Sequence, residues 1–147
     1  MGSKDRLIYT AVGDPVNVAA RLEGLSKEYG VRVVVGGATV AAAPDAFAYR
    51  LLDLVAVKGR GEPLQCYEVM ARTDALAPAA RAMLARYHEA LALYRARRWE
   101  EALRLLDALA REAPADGPIA LYQRRARALL ADPPPEDWDG VFVAESK

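Results

Sequence analysis

An α+β protein with a helical appendage is the fold class this sequence predicts, and three observations predict it. Up to about residue 72, β-branched and aromatic runs (RLIYTAV, VRVVV, FAYRLLDLVAV, PLQCYEVM) alternate with glycine-bearing turns, the signature of strands. A single long helical pattern interrupts those runs after the first of them. From Thr73 onward the composition turns to Ala, Leu, Arg and Glu at helical spacing. The domain organisation that follows is 1–72 for a sheet-bearing part, 73–131 for a helical segment and 132–147 for an extended, Pro-rich tail.

Each element has a local reason. Arg6 to Val12 reads as a strand, and Gly13-Asp14-Pro15 opens a helix. Asp14 can accept hydrogen bonds from the free amides of the first turn, and Pro15 suits the first helical position, where no amide hydrogen is needed. The helix is expected to run to about Tyr29, with Val18, Leu22, Leu25 and Tyr29 on one face, and Gly30 supplies a left-handed C-terminal residue. Val31 to Val35 is continuously apolar, as a strand buried on both faces would be. The pair Gly36-Gly37 reads as a turn, since it lacks the spaced glycines and lysine of a phosphate loop. Thr39 to Ala43 forms a short helix stopped by Pro44. Phe47 to Val57 and Pro63 to Met70 then pair as an antiparallel hairpin around Lys58-Gly59-Arg60-Gly61. The order strand, helix, strand, short helix, strand, strand predicts helices covering a sheet.

Three helices follow, at 79–96, 99–112 and 118–131. The set Tyr94, Trp99, Ala102 and Pro114 resembles a tetratricopeptide unit, in which small residues let two antiparallel helices approach and proline ends the second. One and a half such units fall short of the roughly three repeats a free solenoid needs, so the segment is expected to pack on the first part or on a partner. The tail opens with three prolines and ends WDGVFVAESK; it is expected to be extended, with Trp138 and Phe142 pinned to a surface.

Composition narrows the function classes. The 147 residues carry zero formal net charge, so no electrostatic argument favours nucleic acid or an anionic membrane. One cysteine, Cys66, cannot form an internal disulfide and fits a reducing cytoplasm. No apolar run approaches the ~20 residues of a membrane helix, and the polar start MGSKD does not read as a signal peptide. His88, the single histidine, has no Ser or Cys neighbour suited to a triad and reads as a helix-surface residue. Cys66 falls in a strand and reads as a small core residue. Arginines 95, 97, 98, 104, 111, 124, 125 and 127 alternate with acids and alanines, as on a solvated helix face.

The chemistry lies in Tyr9 to Leu25, YTAVGDPVNVAARLEGL. Asn17 and Arg21 are four residues apart in the first turns of the predicted helix and so share a face. A neutral amide beside a planar cationic fork, close to a helix N-terminus, suits phosphate oxygens. On spacing alone a solvated arginine and a local cap-assisting asparagine are the better explanation of the pair.

This segment resembles the signature of class III nucleotidyl cyclases, in which a strand ending YT-x-x-GD-x-VN-x-A-x-R-L leads into a helix. SKEYGVRVVVGGATV is similar to the helix and strand that follow in that family, and LLDLVAVKGRGEPLQCYEV to its closing hairpin with a VKG(K/R) loop. The matches span about residues 2 to 70, and the implied fold is part of the ferredoxin-like cyclase sandwich. The helical segment and the ending DWDGVF further resemble the C-terminal extension of membrane-anchored bacterial sensor cyclases, which implies a cytoplasmic place for this portion.

The resemblance also implies roles. Thr10 stands where the family reads the purine, a position that favours ATP over GTP when it is not cysteine. Asn17 matches the asparagine that orients the ribose, and Arg21 the arginine that balances charge on the α-phosphate. Lys58 matches the lysine that holds the terminal phosphates. The implied reaction converts ATP to cyclic AMP and pyrophosphate. The family's two metal-binding aspartates, which hold Mg²⁺ or Mn²⁺, and the lysine that helps read the purine all lie upstream of the stretch matched here. Asp14 serves better as a cap, and Asp5 and Asp53 fall in the wrong elements, so the chain alone is expected to bind no metal and to be inactive. Its partners would be ATP and a second cyclase domain, by homodimer or by pairing with a complete one, with no nucleic acid and no membrane segment. The alternative is a non-catalytic half-cyclase that acts as a dimerisation, regulatory or protein-interaction module.

Overall fold

The structure, a computed structural model, describes residues 7–9, 26–27, 29–56 and 61–143. They divide into two compact units, one of residues 1–76 with 141–147 and one of residues 77–140.

The first unit is built on a five-stranded mixed sheet. Its strands are β1 (Leu7–Tyr9), β2 (Val33–Gly36), β3 (Phe47–Ala56), β4 (Leu64–Arg72) and β5 (Phe142–Val143), in the order β1-β2-β4-β3-β5. β1 runs parallel to β2, β4 runs antiparallel to both β2 and β3, and β5 runs parallel to β3. Neighbouring parallel strands need a crossover connection, and Ser26, Lys27 and Tyr29, all helical, belong to the one between β1 and β2. Gly30 has φ 68°, the amide of Val31 bonds the Ser26 carbonyl at 3.0 Å and that of Gly30 bonds the Lys27 carbonyl at 3.2 Å. This is the Schellman ending that the sequence anticipates at Gly30.

The expected turn at Gly36-Gly37 is absent: Gly36 ends β2 and Gly37 begins helix α1 (Gly37–Ala42). The reason is steric. A Cβ on Gly37 would stand 2.7 Å from Oε1 and 3.3 Å from Cβ of Gln65 on β4, so glycine lets the helix start directly against the strand. The hairpin forms as expected, with Val55 opposite Leu64 and register shifts after Ala48 and Leu51. The second shift breaks the two-residue alternation, and Leu52 and Asp53 are consecutively buried. Val34, Val35, Leu52, Val55, Leu64 and Cys66 form the apolar interior.

The second unit contains α2 (Pro78–Arg95), α3 (Trp99–Glu112) and α4 (Gly117–Ala131). Pro78 and Pro118 stand in the first turns of α2 and α4, and the Asp116 carboxylate accepts from the Ile119 amide at 3.0 Å, the arrangement that caps helix starts. The turn from α2 to α3 pivots on Arg97, whose φ is 67°, a conformation that costs a non-glycine residue about 1–2 kcal/mol. Its guanidinium repays this locally. It lies 5.1 Å from the Trp99 ring and 6.0 Å from that of Trp138, and donates to the carbonyls of Pro135 (2.8 Å) and Pro134 (2.9 Å). The proline segment is thus held by one side chain.

The core of this unit combines Leu91, Leu106, Leu109 and Ile119 with aromatic rings and alanines. Tyr122 meets Tyr87 and Tyr94 edge-on, and Trp138 meets Tyr94 and Trp99 in the same way. Ala90, Ala102 and Ala126 are fully buried between the helices. Arg86 in the middle of α2 bonds Glu112 at the end of α3 at 2.7 Å, so these two helices run antiparallel. Among the described residues, no helix is long and apolar enough to cross a membrane.

Candidate functional site

The four residues expected to carry the chemistry, Thr10, Asn17, Arg21 and Lys58, lie outside the described residues. The frame that leads to them is described. In the sheet, Tyr9, Val35, Tyr67 and Leu51 are partners in one row across β1, β2, β4 and β3. Because β1 and β3 point the same way, the chain leaves both at the same end of the sheet. Thr10 follows Tyr9 directly in sequence, and Lys58 comes two residues after Ala56, where β3 ends. The row and β3's further run from Leu51 to Ala56 put the two exits about 14 Å apart across the strands and about 15 Å along them, from standard strand spacings.

In the same sheet unit one polar pair is buried and another is half-buried. Arg50 and Glu68 stand opposite each other on β3 and β4, with Nε and one terminal nitrogen of Arg50 at 2.8 and 2.6 Å from Oε1 of Glu68. Tyr29 donates its hydroxyl hydrogen bond to Oδ2 of Asp53, while Oδ1 accepts from the Leu54 amide at 2.9 Å. The Ser26 side chain is buried close in sequence to Tyr29. Sequence reasoning placed Tyr29 on an apolar helix face and gave Asp53 no role. The readable signal was a lone carboxylate inside the apolar run LLDLVAV, which must find a donor if it is buried.

The described residues do not fit a divalent cation. Asp53 is nearly inaccessible and both its oxygens accept protein hydrogen bonds. Among the described residues, no three His, Cys, Asp or Glu side chains converge. Cys66 is buried in β4, its thiol 3.8 Å from the Leu64 carbonyl, and His88 lies half-buried beside Tyr87. A separate depression of about 290 Å³ opens in the helical unit beside Arg97, Arg98, Trp99, Glu101 and Arg104. Arg98 is already paired there with Glu101, through bonds of 2.7 and 2.6 Å. Arg97, expected on a solvated face with the other arginines, is instead packed beside two tryptophans that contact each other.

Comparison with known proteins finds similarity to adenylate cyclases over part of their length. Adenylate cyclase 1 of Rhizobium meliloti (strain 1021) is 50% identical over 70 residues, 48% of this chain and 10% of that protein. The terminal-differentiation specific adenylate cyclase of Dictyostelium discoideum is 35% identical over 130 residues, 85% of this chain and 6% of that protein. Adenylate cyclase of Anabaena cylindrica is 42% identical over 74 residues, 48% of this chain and 15% of that protein. No family model and no solved structure matches. With its α+β sheet unit and helical tail, the chain has the make-up of a fragment of a class III nucleotidyl cyclase. Its relatives are adenylate cyclases, and it spans between 6% and 15% of their length.

Proposed function

We propose that this chain forms the purine-reading, transition-state and phosphate-holding half of an adenylate cyclase active site, completed by a domain that brings the metal aspartates. The observation that carries the reading is the 50% identity over 70 residues to adenylate cyclase 1 of R. meliloti. The sheet supports it: the exits towards Thr10 and Lys58 lie at one end but well apart, as contacts to the base and to the terminal phosphates of one extended nucleotide require.

In this reading Thr10 contacts the purine and Asn17 orients the ribose so that its 3′-hydroxyl faces the α-phosphorus. Arg21 donates to the oxygens on which negative charge grows as pyrophosphate leaves, and Lys58 holds the terminal phosphates. A planar bidentate donor suits Arg21's role better than a point charge would. Positioning and charge balance of this kind are the main contributions a protein makes to such transfers. The Mg²⁺ or Mn²⁺ of an intact cyclase would be held by the completing domain. A cytoplasmic location, where ATP is abundant and thiols stay reduced, goes with this assignment.

The second reading is a non-catalytic half-cyclase that serves as a dimerisation, regulatory or protein-interaction module. One observation favours it: a match covering 85% of the chain must take in most of the helical unit, so that unit is part of what is shared. Its antiparallel pair, with Ala102 buried at the approach, would then be the tetratricopeptide-like element that meets a partner.

The test is cyclic AMP production from Mn²⁺-ATP by the chain alone and by its mixture with a related cyclase domain. That domain keeps its aspartates and has its own Asn/Arg pair replaced. Activity in the mixture alone supports the half-site, and Arg21→Ala should then lower turnover by about 10²–10³-fold, as loss of a transition-state donor does. Silence in both samples, with the heterodimer confirmed by sizing, leaves the second reading.

A further inference from the structure

We propose that the turn between α2 and α3 is a binding surface for acidic peptide segments with two successive prolines and a tryptophan three residues on, and that the chain's own residues 132–140 occupy it in cis. The proposal rests on the second reading above, that the helical unit meets a partner, and names that partner's chemistry. The resident segment, DPPPEDWDG, carries four acids and no base, and it contains no helix or strand. Arg97 donates to two successive carbonyls in it, those of Pro134 at 2.9 Å and Pro135 at 2.8 Å. Proline-rich backbone offers carbonyls that no ladder engages, and a planar fork can take two of them at once. The Pro135 carbonyl also accepts from the Trp138 amide at 3.1 Å. That turn brings the indole onto the rings of Tyr94 and Trp99, at 5.5 and 5.6 Å between centroids. At Gly140 a Cβ would stand 3.2 Å from Cγ of Arg95, so a second arginine lies against the acidic segment.

A backbone read by one arginine and a single aromatic anchor on a ring platform is how a bound peptide is held. The platform is also incompletely served. Nε1 of Trp99 is buried with no acceptor among the described residues, and an unmet buried donor is the exception in a finished interior. The depression of about 290 Å³ starts at the same Arg97 and Trp99 and continues to Arg104 and Leu130, which leaves room for a partner's flanking residues. Arg97 holds φ 67°, a strained state of the kind found at ligand clamps. A tethered segment reaches a local concentration of about 1 mM. An intrinsic Kd of about 100 µM would then keep the tail bound about nine-tenths of the time and weaken a competing peptide about tenfold.

The test is binding of a fluorescein-labelled synthetic peptide, DPPPEDWDG, to the full chain, read by fluorescence polarisation. Trp138→Ala withdraws the chain's own anchor and should bind the peptide with a Kd of about 100 µM, about tenfold tighter than wild type. Adding Arg97→Ala should weaken that binding at least about tenfold, and so should alanine in place of the peptide's tryptophan. Pro134→Gly/Pro135→Gly keeps Trp138 and Arg97 and makes the tail harder to order. It should bind the peptide at least about threefold tighter than wild type, and it decides the matter if Trp138→Ala does not fold. Equal binding by wild type and the folded variants overturns the proposal, as does no binding by any of them. Binding that survives loss of the peptide's tryptophan shows charge attraction only and overturns it too. The second reading itself is decided by the cyclase mixture, a separate measurement, so the two fail separately.

Discussion

In the sheet unit one polar pair, Tyr29–Asp53, is buried and another, Arg50–Glu68, is half-buried. In the helical unit the interior is leucine, isoleucine, aromatic rings and alanines, and ion pairs such as Arg86–Glu112 are partly exposed to solvent. The two arrangements have different consequences. Ring edges and methyl groups give burial with little directional demand, so a helical hairpin tolerates small shifts. A buried charge or hydroxyl is stable only in the geometry that satisfies it.

The largest break in that comparison is expected from Glu68→Ala, which takes a half-buried carboxylate away from the buried Arg50 guanidinium. It should lower the stability of the sheet unit by about 3–5 kcal/mol, read as faster amide exchange through β3 and β4. Next comes Arg97 in the helical unit. Arg97→Ala removes the stacking on Trp99 and Trp138 and two hydrogen bonds while keeping the left-handed backbone, at a cost of about 2 kcal/mol. Arg97→Gly should cost about 1 kcal/mol less, because glycine adopts φ 67° without strain. Both tryptophans of the chain, Trp99 and Trp138, lie in this unit, so their fluorescence during urea unfolding measures the difference. The smallest effect is expected from Arg86→Ala, below about 1 kcal/mol for a solvent-exposed pair. A loss there as large as that of Glu68→Ala would erase the contrast between the units.

Much of the secondary structure was legible because its signals are local. The helix spans 99–112 and 118–131 follow from apolar spacing, Pro114 and Pro118, and the observed α3 and α4 agree to within one residue. Gly30 announced its own left-handed conformation. The two glycines at 36 and 37 misled, since a turn and a tight strand-to-helix junction favour the same residue and only Gln65, 28 residues on, tells them apart. The candidate-site residues Thr10, Asn17, Arg21 and Lys58 rest on a motif rather than on physics and lie outside the described residues. The buried Tyr29–Asp53 pair was not legible in the sequence. Strict alternation along FAYRLLDLVA puts Leu52 and Asp53 on opposite faces, and the register slip after Leu51 allows both to be buried.

The sequence by itself determined the bounds of the second and third helices of the helical unit, the mixed α+β class and the resemblance to adenylate cyclases. Periodicity, caps and motifs all act within a few residues of one another. Only the tertiary structure decided the strand order β1-β2-β4-β3-β5 and the addition of β5 beside β3, from a tail expected to be extended with Phe142 pinned to a surface. It alone paired Tyr29 with Asp53 and Arg97 with the carbonyls of Pro134 and Pro135. These contacts join residues 24 to 38 positions apart. A polar group chooses among distant partners only once burial has taken water away and left it one that fits.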